Sequence, residues 1–313
     1  MKKKKCLIEI LIFLFVFFYS YLIGSKYVYS DQQIYREVYD KIRNYNLFNA
    51  YLYYARSLDS LEIVHFIVIW IGSRIIQKDI LMSIINSILG VVGYRVLREW
   101  GSSKINAVFI IFANYYFLVL YFAAERLKFG FLLLGIALLC NNRKIIKILS
   151  EIFSIFAHVQ MIIAYIIYKI PLIVKSFERL VIKFKFKFIS LIIICVFIVS
   201  VFLIRNQLIN KLIHYYYADK TYMELIKSLI FIILCIYYSK SRKIAILQSI
   251  FIIFSILIVG STRLNIFLYY FLLFNILQNR KKAKSMLYIF NFYYLINSIL
   301  FIKDILSYGR SFL

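Results

Sequence analysis

The feature that most constrains this chain is a series of long apolar runs separated by short polar stretches. Apolar residues make up 63% of its 313 residues and charged residues only 17%, whereas a soluble domain is about half apolar and about a quarter charged. A run of about 20 apolar residues is long enough to cross a bilayer as a helix. The sequence therefore predicts an all-α, polytopic transmembrane helix bundle, a single integral membrane domain over residues 1–313, with about 10–11 membrane segments.

Two of the runs have lengths that do not fit a single crossing. The run at 61–73 has about 13 residues, which is typical of a re-entrant or interfacial piece. The run at 145–170 is long for one crossing and carries His158 at its centre, so we expect a hairpin broken near its middle. The other runs cover residues 7–23, 79–97, 104–122, 124–140, 186–204, 224–239, 244–260, 264–278 and 286–302.

The net charge of +25 indicates topology rather than an anionic partner. The 39 basic residues are scattered between apolar runs, so a nucleic-acid-binding surface is not expected. Lys and Arg in short loops mark the cytoplasmic side. One threading puts 23 of the 39 in the cytoplasm, including Lys2–Lys5 before the first run, which we interpret as an uncleaved anchor with a cytoplasmic N-terminus.

The same threading puts residues 25–60 on the outer face. Within this loop, Ser30 to Gln33 has the S-x-x-Q form of a capping box. Ile34, Val38 and Ile42 recur with helical spacing. The loop is therefore expected to contain an amphipathic helix that lies on the outer membrane surface.

Several ionisable residues occur where a charge costs about 2.5–3.5 kcal/mol or more at mid-membrane. They are Asp31, Arg126 beside Glu125, His158 and Arg263. Each has a structural interpretation: helix capping, a tight turn, polar bonding between helices, or snorkelling. Together they favour an outward-facing site for a phosphate or pyrophosphate group, because arginine matches phosphate oxygens in bidentate geometry. The four cysteines form no CxxC pair, so neither a metal site nor a disulfide framework is expected.

Four short motifs follow one another along the chain: Y-S-D-Q-Q-I-Y at 29–35, E-I-V-H at 62–65, E-R-L-K-F-G at 125–130 and I-F-A-H-V-Q-M at 155–161. Their order resembles that of the EpsG-like, Wzy-type polysaccharide polymerases of bacterial inner membranes. The chain lacks the glycine and threonine before the first acid and the Pro-Gly of the second motif, and it has no Gln after the arginine of the third.

The resemblance implies a glycosyltransferase that joins lipid-linked repeat units without a metal or other cofactor. It implies that Asp31, Glu62 and His158 are catalytic, with Asp31 the first candidate for the general base and Glu62 the second. We expect a partly desolvated carboxylate with a raised pKa in that role. Arg126 and Arg263, with His158, would bind the substrate pyrophosphate.

The implied partners are an undecaprenyl-pyrophosphate-linked oligosaccharide, membrane lipid and a chain-length regulator protein, and no nucleic acid. The implied location is the bacterial inner (cytoplasmic) membrane. Whether the product is O-antigen in lipopolysaccharide, capsule or exopolysaccharide is left open. Two other functions fit the composition: a membrane O-acyltransferase of surface glycans, and a lipid-linked sugar flippase or transporter.

Overall fold

The computed structural model describes residues 2–182 and 222–311, and within these ranges the chain is helical and contains no strand. The predicted run at 186–204 lies outside the described residues. Fourteen α-helices are described: α1 (Lys2–Gly24), α2 (Asp31–Ile42), α3 (Leu47–Leu58), α4 (Ile63–Gly72), α5 (Lys78–Glu99), α6 (Lys104–Ala113), α7 (Tyr115–Leu118), α8 (Glu125–Leu139), α9 (Lys144–Ala157), α10 (Met161–Ile182), α11 (Tyr222–Tyr238), α12 (Arg242–Val259), α13 (Ser261–Gln278) and α14 (Arg280–Tyr308).

Three of the described helices are long and apolar enough to cross a membrane. They are α1 from Cys6 onward, α5, and α14 from Ser285 onward. The segment Tyr115–Ala123 follows α6 at a bend of 54° and ends in a π-helical turn. If α6 and this segment form one span, they add a fourth crossing. The chain thus has apolar helices that fit a membrane protein, but fewer full-length ones than the sequence predicted. Several other apolar runs form short helices, such as α8 with 15 residues.

The two runs of unusual length form a short helix and a pair of helices with a break between them. The run at 61–73 becomes α4, which has 10 residues, too few to cross a bilayer at 1.5 Å per residue. The run at 145–170 is broken at His158, whose backbone is extended (φ −159°, ψ 126°) between α9 and α10. The break leaves the His158 side chain at a helix end.

The segment 25–60 contains two amphipathic helices, α2 and α3, where one was expected. The predicted capping box at the start of α2 is wrong, because Ser30 has a positive φ of 61° and its side chain makes no capping hydrogen bond. Val38 and Ile42 are buried as predicted, whereas Ile34 is 45% exposed. Tyr35 instead belongs to the buried face of α2.

The chain falls into two compact units: Met1–Ile162 with Ser285–Leu313, and Ile163–Lys284. In the second, α11 and α13 are joined by a hydrogen bond from the Ser228 hydroxyl to Asn265 Oδ1 (2.7 Å). In the first, helices α2, α3, α4, α5, α8 and α9 share an apolar cluster that contains Val38, Tyr39, Ile42, Ala50, Tyr54, Phe66, Ile69, Leu81, Met82, Phe129 and Ala157. The same helices supply the residues of the candidate site, so the packing of the apolar cluster fixes the positions of those residues.

Candidate functional site

Glu62 is a buried carboxylate at the start of α4. Helix α3 is followed by Asp59, whose backbone is in the left-handed conformation (φ 44°), and a short connection leads from there to α4. Glu62 occupies the N-cap position of α4, but its side chain does not cap the helix. The carboxylate is therefore free to face other elements, although the residue is only 7% exposed.

Arg126 and His158 both lie against this carboxylate. Arg126 Nη1 is 3.1 Å from Glu62 Oε2, and His158 Nε2 is 3.6 Å from Glu62 Oε1. Arg126 is in the first turn of α8, and His158 sits at the break after α9. The structure thus brings together three of the five residues that the resemblance assigned to the site. We call Glu62, Arg126 and His158 the outer cluster.

Tyr35 of α2 holds the arginine from the other side. Arg126 Nε donates a hydrogen bond to the Tyr35 hydroxyl at 3.0 Å, and the guanidinium carbon lies 6.0 Å from the centre of the ring. Burial raises the pKa of Tyr35 to about 12, so the hydroxyl stays neutral and can accept this bond. The motif that paired Asp31 with Tyr35 in sequence therefore contributes its tyrosine directly to the cluster.

The charge state of Glu62 differs from the one expected of a general base. Burial by itself raises the pKa of Glu62, but the positive charges of His158 and Arg126 outweigh burial, and the pKa lies below its usual value. The expectation of a raised pKa is wrong for Glu62 as it is paired here. In this arrangement Glu62 is an ionised partner of Arg126 and a poor proton acceptor.

A second buried group of charges, which we call the inner cluster, adjoins the first. Lys78 Nζ is 2.8 Å from Glu125 Oε2, and His65 Nε2 is 3.5 Å from Glu125 Oε1. The Tyr54 hydroxyl is hydrogen-bonded to His65 Nδ1 at 2.9 Å. Lys78 Nζ also donates to Gln32 Oε1 of α2 at 2.7 Å. All five residues of this cluster are buried.

Lys128 is a further buried lysine next to the inner cluster. Its Nζ donates to Asn86 Oδ1 (2.9 Å) and to the Tyr121 carbonyl (2.7 Å). Lys78, Lys128 and Glu125 line a polar cavity of about 20 Å³, which is room for about one water molecule. In each of the two clusters, one cationic side chain is paired with one carboxylate before the histidines are considered.

The inner cluster was not predicted from the sequence as a site. Glu125 was interpreted as part of a turn, and His65 appeared only inside a motif. Lys78 was not predicted as a site residue because a lysine at the edge of an apolar run is normally a topology signal. The available signal was the fact that all three lie next to apolar runs, where an unpaired charge is costly.

The remaining predicted residues lie elsewhere. Asp31 is the first residue of α2 and is exposed, so it is not the partly desolvated carboxylate that was expected. The side chain of Arg263 lies outside the described part of the structure. On α9, the Ser154 hydroxyl donates to the Gly130 carbonyl of α8 at 2.9 Å, which is polar bonding between helices close to His158.

Across residues 2–182 and 222–311, no group of three or more His, Cys, Asp or Glu side chains is placed to hold a metal ion. Comparisons with models of protein families, with curated proteins and with solved structures found no match for this chain.

Proposed function

We propose that this protein is a polysaccharide polymerase of the bacterial inner membrane that joins undecaprenyl-pyrophosphate-linked oligosaccharide units at the outer face. The observation that carries the proposal is the outer cluster. Glu62, Arg126 and His158 come from three separate motifs of the resemblance, and they lie in one largely buried group at distances of 3.1 and 3.6 Å. A group of ionisable residues of this kind supports a shared functional role.

The chemistry of the cluster suits a lipid pyrophosphate leaving group. As the glycosidic bond to the pyrophosphate breaks, negative charge builds on its oxygens, and fixed cationic donors stabilise that charge best where water is scarce. The side chains of Arg126 and His158 are only 18% and 11% exposed. The guanidinium is oriented by Tyr35 before any substrate arrives, so little reorganisation is needed at the moment of reaction.

The site is also open enough to meet a substrate. Arg126 keeps a partly exposed surface, and the apolar helices around it offer a surface along which an isoprenoid tail can lie. A transporter would need a pathway through the bundle, and the buried pairing of Lys78 with Glu125 lies directly beside the site. Fixed charges in a setting with little water suit catalysis at one face.

We expect Arg126→Ala and His158→Ala to abolish long glycan chains and to leave single lipid-linked units. Loss of a preorganised donor of this kind lowers turnover by about 10²–10³-fold. The measurement is the ladder of surface glycan on a gel, from a deletion strain complemented with each variant. Arg126→Lys should restore part of the ladder, because it keeps the charge and loses the planar fork.

Arg95→Ala is the matched control for these variants. Arg95 also pairs with a glutamate, Glu9, but this pair is remote from the outer cluster, at the other end of α5. The variant should form full-length ladders at equal protein level. Full-length polymer in Arg126→Ala or His158→Ala would refute the polymerase, and loss of single units from the outer face would favour a flippase.

A further inference from the structure

The ion pair between Glu62 and Arg126 is close but poorly aligned. Their atoms are 3.1 Å apart, yet Arg126 Nη1 and both Glu62 oxygens are buried without a hydrogen-bond partner of good geometry among the described residues. Buried polar atoms are normally satisfied, because each unsatisfied one costs about 1–3 kcal/mol. The contact is therefore held by charge, and a better-matched oxygen ligand would improve it.

A diphosphate is such a ligand. Within the described part of the chain, Arg126 makes one hydrogen bond, from Nε to Tyr35, so its other N–H groups can turn to phosphate oxygens. A phosphate group presents several acceptor oxygens and more negative charge than a carboxylate. Glu62 thus occupies the position that a diphosphate would take, as an internal substitute for the ligand.

We propose that the pyrophosphate of the donor lipid displaces Glu62 from Arg126, and that Glu62, once released, takes the proton from the acceptor hydroxyl. This inference rests on the polymerase function and adds the order of events to it. The donor must bind first, because the base is occupied until the pyrophosphate arrives.

The chemical step balances without a further reactant. The acceptor oxygen forms a bond to the anomeric carbon of the donor, and its proton passes to the Glu62 carboxylate. The bond between that carbon and the pyrophosphate oxygen breaks, and the pyrophosphate leaves with the electron pair. Arg126 and His158 stabilise the charge that it gains.

The environment of Glu62 explains why displacement would activate it. Burial raises the pKa of Glu62, and the charges of His158 and Arg126 hold it below its usual value. When the pyrophosphate neutralises those charges, burial remains and the pKa rises. A carboxylate with a higher pKa is a better proton acceptor.

The test is the binding of inorganic pyrophosphate to the purified full-length protein in detergent, measured by calorimetry. Glu62→Gln removes the internal anion and keeps the shape, so it should bind pyrophosphate about tenfold more tightly than the wild type, a shift typical of a coupling between two sites. The same variant should form no polymer. Glu62→Asp, whose shorter side chain reaches Arg126 less well, should bind with intermediate affinity and serves if Glu62→Gln does not fold.

Two further variants make the outcome decisive. Glu9→Gln breaks the remote pair with Arg95 and should bind pyrophosphate as the wild type does. Glu62→Gln combined with Arg126→Ala should lose the gain. The displacement is refuted if Glu62→Gln binds no more tightly than the wild type, or if the gain persists without Arg126. If Arg126→Ala loses its glycan ladder in either of these cases, the polymerase function stands and only the displacement fails.

Discussion

Glu125→Ala is expected to destabilise the full-length protein by about 3–5 kcal/mol, because it leaves Lys78 as an uncompensated buried charge. Glu125 is 2% exposed and Lys78 7% exposed, so the lysine is shielded from bulk solvent. His65 loses its contact with the same carboxylate. The measurement is equilibrium unfolding in mixed micelles, compared with the wild type.

Replacement of both partners separates the destabilisation caused by an unpaired charge from the net contribution of the pair to the free energy of unfolding. Glu125→Leu combined with Lys78→Met fills a similar volume with apolar atoms and should recover most of the lost stability. Glu9→Ala, which removes a partner of the 48%-exposed side chain of Arg95, should cost less than about 1 kcal/mol. A similar, small loss for Glu125→Ala and Glu9→Ala would contradict the buried pairing.

Under the proposed function, Gly130→Leu is expected to displace the segment that joins α9 to α10 and to abolish polymer formation. A Cβ at Gly130 would lie 2.4 Å from Met161 Cγ, and Met161 is fully buried. Over-packing of this kind costs about 1–3 kcal/mol. The break that carries His158 lies between Ser154, which bonds to Gly130, and Met161, so the strain moves His158 away from Glu62. The measurements are thermal stability in detergent and the glycan ladder.

Gly24→Leu is the matched control for this variant. No atom lies within 4 Å of a Cβ at Gly24, so the added side chain meets open space. Stability and ladder length should both be close to those of the wild type. A Gly130→Leu protein that retains a normal ladder would show that His158 does not depend on the contact between α8 and α9.

The helical class could be predicted from the apolar runs, and Arg126 and His158 could be predicted as site residues from their positions in those runs. Apolar runs of about 20 residues require helices in lipid. Arg126 and His158 interrupt such runs, and an ionisable residue there needs a partner. What the sequence could not give is which carboxylate meets which cation, since Lys78 and Glu125 are paired only by the packing of α5 against α8.

The errors have local physical causes. Ser30 has the residue type of a helix cap, but its positive φ turns the side chain away from the first turn of α2. Ile34 fits the helical period, yet it is exposed, whereas the next residue, Tyr35, is buried and accepts a hydrogen bond from Arg126. Such choices depend on neighbours that are distant in sequence.

The two sides of helix α2 differ in how freely their residues can change between related chains. Gln32, Tyr35 and Arg36 contact Lys78, Arg126 and Asp79 respectively, so one side of the helix is committed to the charged clusters. Its other side, with Ile34 and Glu37, is exposed and can change without disturbing them. Under the proposed function, we therefore expect differences in glycan preference between related chains to fall on that outward side of α2.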